Sequence, residues 1–331
     1  MPNDLVFVIG SNSFSGAYFV NSALNGGFKV IGTSRSLEPH EVFLPYRKNK
    51  NFSNFSFYQL DLNSDMKRLQ SLIAEVKPSY VVNFAAQSMV AQSWENPEHW
   101  FQTNTLSNVT LHNFLRKCDF IKRYIHISTP EVYGSCNSDI DETAPFNPTT
   151  PYAVSRAAAD MSLLSFYKAY NFPVIFTRAA NVYGPGQQLY RIIPKTILSI
   201  LKGTKLPLHG GGSSVRSFIH IDDVCRGTLQ LLTKGHNGHA YHFSTKDQIS
   251  IKQLVEQICL LMDKKFEDVA EVVGERLGKD SAYLLDSTKA KTDLNWKPEI
   301  SFAQGLDETI RWVEENYNEL KKLPWDYIHQ I

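Results

Sequence analysis

The stretch Leu5-Val6-Phe7-Val8-Ile9-Gly10-Ser11-Asn12-Ser13-Phe14-Ser15-Gly16 decides how this chain reads. A short apolar run, a glycine-bounded turn and then an apolar helical segment predict strand, tight bend and helix in immediate succession. In a dinucleotide-binding turn of this kind the first glycine permits the bend and the last permits close helix packing. Backbone N–H groups at the helix N-terminus then receive a pyrophosphate. Gly10, Asn12, Ser13, Phe14, Ser15 and Gly16 are therefore assigned to cofactor binding. Ser13 stands where the usual pattern has its middle glycine, so its backbone must keep ordinary angles. The bland alternative is an ordinary strand-to-helix turn.

The same alternation continues outward from this turn. Leu5 to Ile9, Phe28 to Thr33, Phe55 to Leu60, Tyr80 to Phe84, Arg123 to Ser128 and Val174 to Arg178 read as strands with room for helices between most of them. That is the pattern of a parallel sheet with crossover helices. From about Asn181 the chain turns to Gly- and Pro-rich loops, punctuated by Pro185, Pro194, Pro207 and Gly210-Gly211-Gly212. Asp222 to Leu232 and Ala240 to Phe243 read as a helix and strand that rejoin the large sheet. The expected division is residues 1–180 with 222–245 as a dinucleotide-binding domain, and 181–221 with 246–331 as a smaller lobe.

With 331 residues, 43% hydrophobic and 20% charged, the chain can bury a full core. A net charge of +1 gives no bulk attraction to nucleic acid or to an anionic membrane, so neither is expected as a partner. Cys118, Cys136, Cys225 and Cys259 are widely spaced without a Cys-x-x-Cys pair, which argues against a metal site or disulfide framework. Met-Pro-Asn-Asp followed by a short apolar strand lacks the features of a signal peptide, and the expected location is cytoplasmic.

Chemistry concentrates in two segments, Ser128-Thr129-Pro130-Glu131-Val132-Tyr133-Gly134 and Pro151-Tyr152-Ala153-Val154-Ser155-Arg156. A tyrosine and a cation at i and i+4 share a helix face, so the cation favours the phenolate and makes it a usable proton acceptor near neutral pH. Thr129 and Glu131, at a strand end, can hold a hydroxyl and a second base over the same pocket. Together these four residues suggest redox chemistry on an alcohol carbon. After the second strand, Arg35 between Ser34 and Ser36 suits a 2′-phosphate, which favours NADP over NAD. Asp61, followed by Leu62, can accept from an adenine amino group.

The glycine turn, Asn83-Phe84-Ala85-Ala86-Gln87-Ser88, Asn104, Ser128-Thr129, Tyr152 with its i+4 cation, Asn181-Val182-Tyr183-Gly184-Pro185 and Val215 through Asp223 follow one another in a familiar order. Arg276-Leu277-Gly278-Lys279-Asp280 and Leu294-Asn295-Trp296-Lys297-Pro298 extend the series. Over nearly all its length the chain resembles the extended short-chain dehydrogenase/reductase enzymes that act on nucleotide-diphosphate sugars. The resemblance implies an α/β fold, a Rossmann-type doubly wound parallel sheet with a smaller C-terminal α/β substrate lobe. It also implies NADP or NAD, tightly bound and recycled, held further by Ala85, Ala86, Gln87, Asn104, Tyr152, Arg156 and Ala179.

Glu131 resembles the glutamate of the sugar 4,6-dehydratases and the decarboxylating branch, which plain 4-epimerases usually lack. Ala85 through Ser88 looks most like the GDP-mannose 4,6-dehydratase branch, whereas the Asn181-to-Pro194 loop and the Arg216 segment look closer to dTDP-glucose 4,6-dehydratase. The implied activity is that of a hydro-lyase in deoxysugar formation, with Thr129, Glu131, Tyr152 and Arg156 catalytic. Substrate contacts are expected from Ser88, Thr129, Glu131, Asn181, Arg191, Ile192, Leu208, His209, Arg216, Arg276 and Tyr283. Relatives pair helices like those near Pro97 and Tyr152 across a twofold axis. A homodimer through a four-helix bundle is therefore expected, with Trp100, Phe101, Leu111, Phe114, Leu163, Leu164 and Phe166 on the apolar faces. Cys225 and His220 are read as structural.

The chain departs from the pattern at several positions. Pro130 stands where the dTDP-glucose enzymes place an aspartate acid, Arg156 replaces a lysine, Met89 replaces a histidine, and Ser107-Asn108 replace Gly-Thr. Alternatives within the resemblance are a 4-epimerase, a decarboxylase, a 4-keto reductase, and a nucleotide-sugar-binding protein without turnover.

Overall fold

The computed structural model describes residues 4–136, 139–274 and 284–330. Seven parallel strands make the main sheet: β1 (Leu5–Ile9), β2 (Lys29–Ser34), β3 (Phe55–Gln59), β4 (Tyr80–Asn83), β5 (Arg123–Ile127), β6 (Val174–Ala179) and, much later in the chain, β10 (Ala240–Phe243). Their order across the sheet is β10-β6-β5-β4-β1-β2-β3. The remaining strands serve the second lobe. β7 (Asn181–Tyr183), β9 (Val215–His220) and β11 (Gln248–Ser250) form one small sheet, and β8 (Leu206–His209) pairs with β12 (Ala270–Val273).

Both faces of the main sheet are covered, as a parallel sheet requires. Alternation along β1 sends Val6 and Val8 into a core with Ala17, Val20 and Leu24 of α1 (Phe14–Asn25), while Phe7 and Ile9 enter the opposite core with Leu69 and Ile73 of α2 (Met66–Val76). Around the next strands run α3 (Pro97–Trp100), α4 (Asn108–Leu115) and the long α5 (Pro151–Tyr170). α6 (Ile192–Lys202) belongs to the second lobe, whose core gathers Ile193, Ile197, Leu208, Phe218, Leu254 and Ile258. The predicted helix over 222–232 is α7 (Ile221–Gln230).

Strand β1 lies between β2 and β4, so the chain departs in opposite directions on its two sides and a crevice opens above its carboxyl end. The glycine turn sits there, and its glycines are sterically required. Gly10 has φ +81°, and a Cβ on it would lie 2.8 Å from the Ala85 nitrogen. A Cβ on Gly16 would lie 2.1 Å from the Gly10 carbonyl oxygen. Ser13 keeps ordinary extended angles, φ −70° and ψ 161°, and caps α1 by accepting from the Gly16 N–H.

Gly16→Ala forces this backbone contact apart and should lower thermal stability by about 1–3 kcal/mol, the usual cost of overpacking. A melting temperature unchanged from wild type in a circular-dichroism scan would contradict the contact.

Candidate functional site

The chemistry-bearing residues converge above the carboxyl ends of β4, β5 and β6. Thr129 follows β5 by two residues and caps the short 3₁₀ turn Pro130–Tyr133, its hydroxyl accepting from the Glu131 N–H at 3.3 Å. Tyr152 lies in the first turn of α5, which is capped by Thr150 and opened by Pro151 at a position where no backbone N–H is needed. The Thr129 hydroxyl hydrogen-bonds the Tyr152 phenol, and the charges of Glu131 and Arg191 both act on that phenol. Thr129, Glu131, Tyr152, Arg156 and, from the second lobe, Arg191 therefore share one site.

The electrostatics differ from the simple expectation. Burial raises the Tyr152 pKa above the usual phenol value and Glu131 raises it further; Arg156, Thr129 and Arg191 lower it without overcoming burial. Arg156 is itself only 2% exposed and donates through Nη2 to the Ile127 carbonyl. Its charge thus acts in the expected direction, from a guanidinium fixed to the end of β5, but desolvation of the phenol is the larger effect.

A ring of buried amides and hydroxyls holds this group in place. Asn104 accepts from the Gln87 N–H at 2.8 Å and donates to the Gln87 carbonyl and to the Ser155 hydroxyl, both at 3.0 Å. Ser155 in turn donates to the Tyr152 carbonyl at 2.7 Å, and Ser93 accepts from the Tyr152 N–H at 3.2 Å. Asn104 lies in a π-helical segment, Phe101–Ser107. The widened turn frees carbonyls of Thr103 and Asn104, which the Asn108 amide takes at 3.0 and 3.1 Å while its oxygen accepts from Asn83. The Ser107-Asn108 departure is thereby explained: Asn108 completes the π turn.

Beneath the site lies a fully buried carboxylate. Asp160 accepts from the Ser128 hydroxyl at 2.6 Å and from Arg178 at 2.9 Å. Arg178 also donates to Tyr133, whose hydroxyl contacts His242 at 2.8 Å. Burial holds His126 and His112 well below the usual imidazole range and takes His242 down to about 3, so all three are neutral. None of Ser93, Ser155, Asp160 or Arg178 was picked out from sequence. Asp160 carried a usable signal, since it falls four residues beyond Arg156 on the same helix.

Three observations fit a dinucleotide in the crevice. The glycine turn leaves no room for a Cβ. The first turn of α1 carries no acidic residue to oppose an anion at its N-terminus. The buried Nε of Arg156 has no partner among the described residues. Asn12 fastens the loop after β2 by donating to the Ser36 and Leu37 carbonyls, which sets Arg35 at the rim. Phe14, Ser15, Ala85, Ala86, Leu62 and Ala179 sit around the same strand ends. Asp61 is at the end of β3, with one oxygen engaged by the Asn63 N–H at 2.7 Å.

The residues expected to contact substrate are more scattered. Asn181 opens β7, Arg191 and Ile192 begin α6, and Leu208 and His209 end β8, with His209 Nδ1 bonded to the Gly274 carbonyl. Ser88 is exposed, whereas Arg216 is buried and donates to the Val215 carbonyl at 2.8 Å. Arg276 and Tyr283 lie outside the described residues. Cys225 and His220 are buried in the framework, and all four cysteines are free. Among the described residues there is no group of three or more His, Cys, Asp or Glu that could hold a metal, and no helix long and apolar enough to cross a membrane.

A glycine turn at the β1/β4 switch point, with threonine, glutamate, tyrosine and arginine gathered over the neighbouring strands, defines an enzyme of the extended short-chain dehydrogenase/reductase type. The family model described as GDP-mannose 4,6 dehydratase matches residues 7–309, and the chain belongs to this family. It is 31% identical over 336 residues to the dTDP-glucose 4,6-dehydratase of Xanthomonas campestris pv. campestris, covering 93% of each chain. It is 32% identical over 279 residues to the human dTDP-D-glucose 4,6-dehydratase, covering 82% of this chain and 79% of that one. Among solved structures it is similar to the dTDP-glucose 4,6-dehydratase of Bacillus anthracis in complex with NAD. That match has a TM-score of 0.87 and 32% identity, covering 97% of this chain and 100% of the other.

Because Arg156 opposes the burial that raises the Tyr152 pKa, Arg156→Ala should move the acidic limb of the kcat/KM profile to higher pH. Activity at neutral pH should fall by about 10²-fold and partly recover in alkaline buffer, while Arg156→Lys keeps the limb near its original position. A loss independent of pH would mean that the cation does not tune the phenol.

Proposed function

We propose that this protein is a nucleotide-diphosphate-hexose 4,6-dehydratase, converting its substrate to the 4-keto-6-deoxy sugar with a nicotinamide dinucleotide that is regenerated in each cycle. The observation that carries the reading is the convergence of half-buried Glu131 with buried Tyr152 and Thr129. An epimerase needs the Tyr–Thr pair alone. A second base beside it is what removal of the C5 proton requires.

The chain's own groups divide the work as follows. Tyr152, as phenolate, takes the proton of the sugar 4-hydroxyl, and Thr129 hydrogen-bonds the oxygen that becomes the ketone. The buried charge of Arg156 favours that phenolate, and Arg191 reinforces it from the other lobe. The ketone acidifies C5–H, and Glu131 removes that proton. Pro130 has neither an acidic proton nor a backbone N–H, so Glu131 returns the proton it has collected to the departing C6 hydroxyl, and water leaves. With a nicotinamide bound in the crevice, the hydride from C4 would be held there and returned to C6, after which C5 would take a proton that Glu131 relays from solvent while Tyr152 gives up to solvent the 4-hydroxyl proton it holds. The residues that would hold the dinucleotide are those of the glycine turn, Ala85 through Gln87, Asn104, Tyr152 and Arg156. Arg35 supplies the charge that favours NADP. Arg191 and Arg216 suit the substrate diphosphate because a guanidinium makes paired, charge-assisted bonds to phosphate.

Incubating the protein with GDP-, dTDP-, UDP- and CDP-hexoses and catalytic cofactor should convert one of them with a loss of about 18 mass units and no net cofactor reduction. Glu131→Gln should lower that conversion by about 10²–10⁴-fold and abolish solvent-deuterium uptake at C5. Epimerisation without mass change, loss of carbon dioxide from a uronic acid, net cofactor oxidation on a 4-keto sugar, or binding without conversion would each favour the corresponding alternative.

We further propose a homodimer through the α3–α4 and α5 region. Of the seven residues expected on its apolar faces, Phe101, Phe114, Leu164 and Phe166 are half-buried. Trp100, Leu111 and Leu163 are each 0% exposed, consumed by the chain's own core, whereas Leu106, Val154 and Met161 remain exposed on these helices. Leu106→Glu combined with Met161→Glu should convert the dimer to a monomer in analytical ultracentrifugation, and a sedimentation coefficient unaffected by the pair would exclude this face.

A further inference from the structure

The segment Trp325–Gln330 is not needed for the chemistry just derived, yet it is fastened at both ends. On the second lobe, Trp325 donates through Nε1 to the Leu320 carbonyl at 3.1 Å and lies under Lys202, whose Nζ is 4.7 Å from the ring centroid. Asp326 pairs with Lys195 of α6 at 2.8 Å, and Tyr327 packs edge-on against Tyr190, ring centroids 5.4 Å apart. Residues then alternate inward and outward, with Tyr327 and His329 half-buried and Ile328 and Gln330 exposed. His329 stacks on Trp100 at 5.1 Å, and its Nε2 shares a hydrogen bond with His99 Nδ1 at 2.9 Å. Its Nδ1 is 3.2 Å from the Tyr327 hydroxyl.

The decisive contact is the last. The Gln330 carbonyl accepts from Arg35 Nη1 at 2.9 Å and from Gln87 Nε2 at 2.8 Å. Arg35 follows β2 and Gln87 follows β4, the two neighbours of β1. Adjacent strands lie about 4.8 Å apart, so side chains rising from the ends of β2 and β4 meet over the end of β1. One oxygen bonded to both therefore bridges the loops that follow β2 and β4, on either side of β1 and its glycine turn. The segment crosses from α6 to α3 over the mouth of the crevice and joins the two lobes.

We propose that Trp325–Gln330 is a strap that closes the cofactor groove and slows cofactor release, so that the nicotinamide dinucleotide stays through many turnovers. This rests on the reading of Arg35 and Gln87 as residues of that groove. A cofactor oxidised and reduced within one cycle gains nothing from exchange, and a strap anchored on both lobes makes release conditional on breaking several contacts together. Each anchor is individually modest: an exposed ion pair, an aromatic edge contact, a stacked imidazole and one doubly accepting carbonyl. The strap can therefore open without unfolding either lobe.

The test uses the full protein loaded with NADH or NADPH, with release followed by the loss of bound-cofactor fluorescence when excess unlabelled NAD or NADP is added. Deleting residues 326–331 retains Trp325 and its packing and should speed release by about tenfold or more, the change falling in koff. His329→Ala, which keeps the chain at full length, should speed release by a smaller factor, and kcat at saturating cofactor should stay at the wild-type value in both variants. Release within twofold of wild type in both variants would overturn the proposal. So would tighter cofactor binding with unchanged release, which would make the segment a competitor for the groove. Arg35→Ala separates the underlying reading from the strap: unchanged cofactor affinity there would remove Arg35 from the groove, whereas unchanged release in the two strap variants would remove the strap alone.

Discussion

One buried carboxylate sets the geometry on which the site depends. Asp160 is fully buried on α5, and its hydrogen bonds reach Ser128 just past β5 and Arg178 on β6. Stripping a carboxylate and a guanidinium of water costs several kcal/mol per ion, and their attraction offsets that cost only when geometry and remaining partners are good. The ion pair is thus a weak source of net stability and a strong source of position. It admits one placement of α5 against the ends of β5 and β6, and that placement brings Tyr152, Arg156, Thr129 and Glu131 together. The neutral His126 beside it follows from the same burial, because a further proton there would meet Arg156 and Arg178 without solvent to screen it.

The second constraint is the amide of Asn104, which fixes the loop after β4 by both hydrogen-bonding groups of the Gln87 backbone and then reaches α5 through Ser155. Asp160 orients α5 from below and Asn104 from the side. Between them Tyr152 is held by its neighbours' hydrogen bonds, and its own hydroxyl bonds Thr129. In the proposed reaction, the burial that raises the phenol pKa would also exclude water from the ketone. The site accepts the first effect and counters it with cations from both lobes.

Much of this was legible in the chain. Strand positions came from apolar runs bounded by turn residues, and boundaries shifted by only a residue or so, as at Lys29–Ser34 and Val174–Ala179. The glycine turn was readable because Gly10 and Gly16 flank it and a helix follows. Three kinds of feature were hidden. Buried polar networks such as Asp160–Arg178 have no period of their own, since a charged residue in a helix looks solvent-facing until its partner is known. The burial that dominates the Tyr152 pKa is a tertiary property that the i+4 spacing to Arg156 cannot express. Apolar helix faces do not say which neighbour covers them: Trp100, Leu111 and Leu163 fit a partner or the chain's own sheet equally well by periodicity, and the chain's own core uses them. The strap was invisible for the same reason: a polar, aromatic segment with no repeat gives no sign of what it lies across.

The π-helical segment Phe101–Ser107 carries a consequence for how this chain can change over time. Compared with an α-helix of the same span it stores surplus chain within the turn, and that surplus is what aims Asn104 at Gln87. Losing one residue here would let the helix relax to ordinary pitch, but each residue of an α-helix turns the following side chains by about 100°. Asn104 would then swing away from the loop, or the Asn108 amide away from Asn83, and no substitution elsewhere could restore both. In this segment the number of residues constrains the site more tightly than most of their identities. Families descending from such a chain should therefore tolerate many changes of letter between Trp100 and Leu111, and almost none of length.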